Sequence, residues 1–359
     1  MGNGDHSVSL GPETQKWIVN DEIVTDILIA YRETCINKAL KRNHLDTVQE
    51  ELALNCIFYM DETCQTDYGI DYDLTWSIMM DECKALYPLT TLAEDLTAKL
   101  AKFSKAARTK YCSCKSMTRN WEESYDGGNE RIADALRNLL QTYSPISSST
   151  GDMNEDSFSI AAVHPLFLPF LEESSFLIRM GTDGNAYGSK ERREANGKTE
   201  KAGHFSDLSM KFSYGKMPEE GLLIVEIKPP KKTRNGQRPD FIKLCNEMKD
   251  ATDKLIKDGM DDVDITVIGV LVEGYRCTLL VMDLLYHAIY RLIPLTIFYL
   301  PRDRYDFAVL TDTFEALATM RKMTSSNARK CFAFNRKRVR QVVRGDYVVP
   351  SYDTPSRMN

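Results

Sequence analysis

The sequence lacks any apolar run of the ~18 residues that a membrane span requires, so no transmembrane helix is expected. Its opening, Met1-Gly2-Asn3-Gly4-Asp5-His6, has no basic stretch followed by an apolar one, which sets aside a secretory leader. His6 also stands where a myristoylation signal carries Ser or Thr. The nine cysteines are an odd number scattered along the chain, a pattern unlike a disulfide framework. Reduced thiols in an intracellular protein are the expectation. Cys112 and Cys114 form the one tight cysteine pair, whereas zinc sites use ~2–4 residues between paired ligands and a second matching pair. A fixed-period repeat is missing too. So is an overall positive charge, the net being −6.

What is present is an ordinary globular composition, 43% hydrophobic and 27% charged, over 359 residues. That length accommodates two domains. Charge divides along it. Residues 1–150 carry 23 acids against 15 bases, while residues 321–345 carry nine bases and no acid. A polyanion would therefore be met by the C-terminal half.

Residues 1–142 read as an all-α accessory domain. Helical spacing of apolar residues runs over 16–40, 46–59, 74–86, 91–103 and 132–140, with Pro88 separating the third from the fourth. Nothing in this part shows a catalytic spacing, and a protein partner is one use for it. Residues 143–152 are polar and rich in Ser, a linker. Beyond it, residues 153–335 change character. Glu155 to Leu171 reads as one helix or two short ones broken at His164-Pro165, and Ser174 to Met180 as a strand. Gly181 to Gly203 reads as a loop. His204 to Ser213 alternates as a strand that shows Asp207 on its more polar face.

Gly221 to Lys228 is apolar and β-branched, entered from Gly and stopped by Pro229-Pro230: a strand buried on both faces. Glu226 and Lys228 project from one face near its end, about 6.6 Å apart. A carboxylate and an ammonium there are costly unless paired or bound to something. The bland reading is the solvated end of a strand. Phe241 to Gly259 is an amphipathic helix, three apolar strands fill 265–272, 278–284 and 292–300, and Thr313 to Phe332 is a last helix. A basic tail, residues 336–359, follows, with a frayed end expected beyond Gly345.

The order helix, strand, strand, strand with Glu226-Ile227-Lys228, helix, strand resembles the PD-(D/E)xK nuclease superfamily, the restriction-endonuclease-like fold. Asp207 matches the family's first metal-binding acid, with Ser206 where Pro is usual, and Glu155 matches the acid of the first core helix. The likeness spans roughly residues 152–320. It implies an α/β (α+β) restriction-endonuclease-like core, a mixed central sheet flanked by helices. It also implies a metal-dependent nuclease that cleaves phosphodiester bonds of DNA, or of RNA as the second choice.

On this resemblance Asp207 and Glu226 hold Mg²⁺ or Mn²⁺, hard ions that take oxygen ligands, with the Ile227 carbonyl as a further donor. Lys228 steadies the attacking water or the phosphate, and Glu155 supports the metal. Nucleic acid would be met by Lys231, Lys232 and Arg234 after the strand, and by Arg336, Lys337, Arg338 and Arg340 in the tail. The tail reads equally as a nuclear-import signal. Two alternatives stand beside the enzyme: a catalytically inactive member of the fold that binds nucleic acid or protein, and an interaction protein centred on the acidic N-terminal part.

Overall fold

The structure, a computed structural model, describes Val8, residues 15–42, 44–70, 73–108, 129–142, 153–171, 173–180, 184–185, 205–230, 238–260, 265–336 and 348–349, and isolated positions between 116 and 121. The elements follow one another as β1 (Ile18–Val19), β2 (Glu22–Ile23), α1 (Val24–Arg42), α2 (Val48–Ala53), β3 (Ile57–Tyr59), α3 (Gln65–Tyr68), α4 (Asp73–Leu86), α5 (Glu94–Ala107) and α6 (Glu130–Thr142). The second part begins with α7 (Glu155–Phe158), a π-helical turn (Ser159–Val163) and α8 (His164–Phe167). Then come β4 (Leu177–Met180), β5 (Gly184–Asn185), β6 (Phe205–Ser206), β7 (Leu208–Phe212), β8 (Glu220–Lys228), α9 (Pro239–Lys257), β9 (Val267–Glu273), β10 (Arg276–Tyr286), β11 (Ile289–Tyr299) and α10 (Leu310–Arg336).

A seven-stranded mixed sheet, ordered β3-β11-β10-β9-β8-β7-β4, is flanked by helices. β8 lies at its centre-right, antiparallel to β7 and parallel to β9. Parallel neighbours need a crossover, and α9 supplies it, packed on both strands. The expected strand–strand–helix–strand sequence is thus observed, and Leu222 to Val225 are buried on both faces. α9 ends on Gly259 at φ 83°, a left-handed position that favours glycine.

Three expectations are corrected. The N-terminal part is not all-α. The helix expected over 46–59 stops at Ala53, Cys56 takes φ 58°, and Ile57–Tyr59 enters the sheet as an edge strand parallel to β11. Its short apolar run fits either period, and only pairing with Tyr290 to Leu292 decides for a strand. Buried side chains from Trp17 to Leu140 also run into one apolar core with those of the sheet. Asp207 is not within a strand: it sits on a bend between β6 and β7. Finally, the end beyond Gly345 is not frayed at Val349, which is buried. Its N–H donates to the Tyr290 hydroxyl at 3.2 Å and its carbonyl accepts from Lys249 Nζ at 2.6 Å. The whole expected linker, residues 143–152, like Cys112 and Cys114, lies outside the described residues.

Candidate active site

Four side chains singled out in the sequence meet at the C-terminal end of β8. The strand's alternation directs Glu226 and Lys228 to the face covered by α9. The bend before β7 turns the Asp207 carboxylate toward β8, where Oδ2 accepts the Ile227 N–H at 2.6 Å. Asp207 is thereby fixed between the two motif residues of the neighbouring strand. Glu155 opens α7, behind an Asn154 cap that accepts the Ser157 N–H at 2.8 Å. Its Oε2 lies 3.8 Å from Lys228 Nζ.

The helix α9 completes the constellation. Asp240 Oδ1 receives Lys228 Nζ at 2.9 Å. Lys243 Nζ stands 2.8 Å from each carboxylate oxygen of Glu226 and 3.8 Å from Glu247 Oε1. Glu226 is only 3% exposed, and Glu247 is buried as well. Lys228, Glu155 and Asp240 are partly exposed, so the cluster opens to solvent on their side.

Electrostatics follow from this burial. Desolvation pushes the Glu226 carboxyl up to about 8, helped by the Glu247 charge and opposed by Lys243. Asp207 is also raised, by desolvation first and by the Glu155 charge, against the Ile227 N–H and both lysines. For Lys228 burial acts downward, yet the hydrogen bond to Asp240 and the charges of Asp240, Glu155 and Asp207 carry it above its ordinary value. Lys243 behaves alike: burial is outweighed by Glu226 and Glu247. Each carboxylate would gain from a further cation, since desolvated charge is stabilised by a nearby opposite charge.

By donor type the set suits a hard divalent ion: Asp207, Glu226 and Glu155 offer carboxylate oxygens. Among the described residues, however, no three His, Cys, Asp or Glu side chains are drawn together as a ready metal cage. An ammonium stands at Glu226 instead. Comparison with protein-family models, with curated proteins and with solved structures finds no match.

The structure brings Glu155, Asp207, Glu226 and Lys228 together. It adds Asp240, Lys243 and Glu247, which sequence reasoning did not single out. Their spacing, three and four residues apart, puts all three on one stripe of α9, beside the apolar positions Phe241, Leu244, Cys245 and Met248. The signal was present as a charged stripe on a helix that follows the Glu-x-Lys strand. It reads as a solvent face unless the strand is known to lie beneath it.

Of the expected nucleic-acid contacts, Arg336 ends α10, exposed, with its guanidinium 5.7 Å from the centre of the Phe332 ring. Lys231, Lys232, Arg234, Lys337, Arg338 and Arg340 lie outside the described residues. Arg238, just after the first group, forms a two-pronged pair with Glu273 at 3.1 and 2.7 Å. Glu273 in turn is the parallel-strand neighbour of Lys228.

Proposed function

We propose that the protein is a metal-dependent nuclease of the PD-(D/E)xK type, acting on DNA ahead of RNA. The observation that carries this reading is the meeting of Glu155, Asp207, Glu226 and Lys228 from one helix turn, one bend and one strand end. The parallel β8–α9–β9 unit beneath them is the arrangement that such chemistry uses. Asp207 and Glu226 would hold Mg²⁺ or Mn²⁺, with the Ile227 carbonyl as a further donor and Glu155 in support. When bound, such an ion acts as a Lewis acid and lowers the pKa of its water.

The chain's own groups account for the rest. Asp240 and Glu155 hold the Lys228 ammonium at the solvent-open side, where it can orient an attacking water or meet a phosphate oxygen. Hydrolysis adds negative charge to phosphorus, so a fixed ammonium lowers that barrier electrostatically. The Ile227 N–H fixes Asp207, so its carboxylate needs no reordering. The resemblance implies products with a 5′-phosphate and a 3′-hydroxyl. The basic run over 329–344 would track the backbone or serve nuclear import.

The test is cleavage of plasmid and single-stranded DNA, and of RNA, by the purified full chain in Mg²⁺ and in Mn²⁺. Asp207→Asn, Glu226→Gln and Lys228→Met should each lower the rate by about 10²-fold or more, in the range seen when one electrostatic group of an active site is removed. Circular dichroism should show the fold retained. Cleavage that survives all three changes would sink the proposal. A second reading has a specific observation behind it: Lys243 already neutralises Glu226 at both oxygens. On that reading the protein binds nucleic acid without cutting it, and salt-sensitive binding persists in all three variants.

A further inference from the structure

The segment at Val348–Val349 is held by buried groups that take no part in the cluster at β8. Lys249, in the middle of α9, is 0% exposed. Its Nζ donates to Asp253 Oδ2 at 2.8 Å and to the Val349 carbonyl at 2.6 Å, and lies 4.3 Å from the centre of the Tyr290 ring. The Tyr290 hydroxyl, on β11, donates to Asp253 Oδ1 and accepts the Val349 N–H at 3.2 Å. Both main-chain groups of one residue are thus read by buried side chains, while the Val349 side chain joins the apolar core. Main-chain hydrogen bonds combined with a pocket for a side chain are how extended peptides are recognised.

A buried ammonium is costly unless it is paired, and here the pairing does not depend on Val349. With that residue gone, Lys249 keeps Asp253 and the Tyr290 ring, and the Tyr290 hydroxyl keeps Asp253 as its acceptor. Water can take the two places that Val349 vacates. Emptying the cleft therefore strands no charge, and the cleft can stand open in a folded protein. A lysine whose one partner was the Val349 carbonyl would instead tie release of the segment to global unfolding.

The cleft also belongs to the helix that serves the candidate site. Lys249 and Asp253 follow Asp240, Lys243 and Glu247 on α9. Lys243 ties that helix to β8, and Asn246 accepts from Asn55 Nδ2 at 2.8 Å. Val349 adds a bridge from α9, through its carbonyl, to β11, through its N–H. We propose that the cleft between α9 and β11 is a peptide site whose releasable occupant is the chain's own segment at Val348–Val349, a latch that sets how firmly α9 is held on the sheet. The latch operates whether or not the cluster at β8 cuts nucleic acid.

Hydrogen exchange of the full-length wild type, followed across sub-denaturing urea, tests release. The Val349 amide should exchange at least about tenfold faster than the amides from Ile289 to Ile293 of β11, as local opening precedes global unfolding. Its rate should depend little on urea, because such an opening exposes little surface. Exchange at the rate of β11 and with the urea dependence of β11 would overturn the latch, since the segment would then leave only when the fold does.

Occupancy is tested with a fluorescent peptide of residues 344–354. Val349→Pro in the full-length chain removes the N–H that Tyr290 accepts and should empty the cleft. The peptide should then bind at least about tenfold more tightly than to wild type, whose cleft is filled by its own segment. Adding Lys249→Met, or Tyr290→Phe where the first fails to fold, should abolish that gain. Thermal melts identify the folded proteins. No binding to folded Val349→Pro, or equal binding to it and to the folded double variant, would overturn the site. Bound peptide should also slow amide exchange along α9 in Val349→Pro, and unchanged exchange there would overturn the hold on the helix. If Val349→Pro does not fold, the wild-type exchange experiment decides alone.

Discussion

Glu220 is fully buried at the start of β8, 3.6 Å from Lys254 and beside Asp258. Desolvation, and then Asp258, raise its carboxyl from the ordinary 4.5 to about 9. Between those two values the folded chain keeps a proton that the unfolded chain has released. Stability then falls as pH rises, the contribution being whole below 4.5 and gone above about 9. Glu226, raised to about 8, pulls in the same direction. Glu220→Gln removes the part of that slope due to Glu220. The variant should gain on the order of 1 kcal/mol or more over wild type near pH 9 and almost nothing near pH 4, the gain being limited by loss of the Lys254 contact. Urea denaturation at both pH values measures it. Parallel pH profiles for the two proteins would mean that Glu220 is ionised at little cost.

At the level of elements, the seat of α9 on the sheet depends on a missing side chain. A Cβ on Gly269, in β9, would come within 2.4 Å of the Met248 sulfur and 3.0 Å of its methyl. Met248 is itself fully buried, so its thioether has to move within a packed interior. Gly269→Ala should cost about 1–3 kcal/mol, the usual range for overpacking. Met248→Ala in the same chain should recover part of that loss, a non-additivity that marks direct contact. If the two changes simply add, α9 sits less tightly on β9 than the geometry implies.

The same elements show what the sequence can and cannot tell. β8 was legible because burial on both faces, an entering glycine and two prolines agree on one answer. Glu226 and Lys228 were legible because strand alternation fixes where they point. Asp207's bend was not, since the Ile227 N–H that holds it is on another strand. β3 was misread because Leu52, Cys56 and Tyr59 satisfy a helical period, and the left-handed residue Cys56 carries no local signal. Lys243 was passed over because a charged stripe beside an apolar one is what any amphipathic helix shows. Only the crossover from β8 to β9 turns that stripe onto Glu226. Long-range pairing therefore decided what local pattern left open.

At the scale of the whole chain, the N-terminal elements and the sheet are joined by charge as well as by apolar packing. Arg291, on β11, is 0% exposed. It reaches both oxygens of Asp283 on β10, at 2.9 and 2.8 Å, and Glu82 on α4, at 2.7 Å. Its guanidinium lies 4.9 Å from the Trp17 ring centre and 5.2 Å from that of Tyr286, two rings stacked on each other at 5.1 Å. Trp17 and Tyr286 both hydrogen-bond Glu82, and Tyr87 donates to Asp283 at 2.6 Å. Arg291→Met keeps most of the volume but leaves Asp283 buried without its guanidinium. Breaking one side of a buried pair costs about 3–5 kcal/mol. Glu82→Gln, at the more exposed rim, should cost about 1 kcal/mol or less. Because the network touches α4, β10 and β11 together, the Arg291→Met loss should appear as one cooperative transition at lower denaturant. The signal to follow is near-ultraviolet dichroism, to which the Trp17–Tyr286 stack contributes, beside the far-ultraviolet signal of the backbone. Two separate transitions, with the far-ultraviolet one left at its wild-type midpoint, would show that the N-terminal elements unfold independently of the sheet.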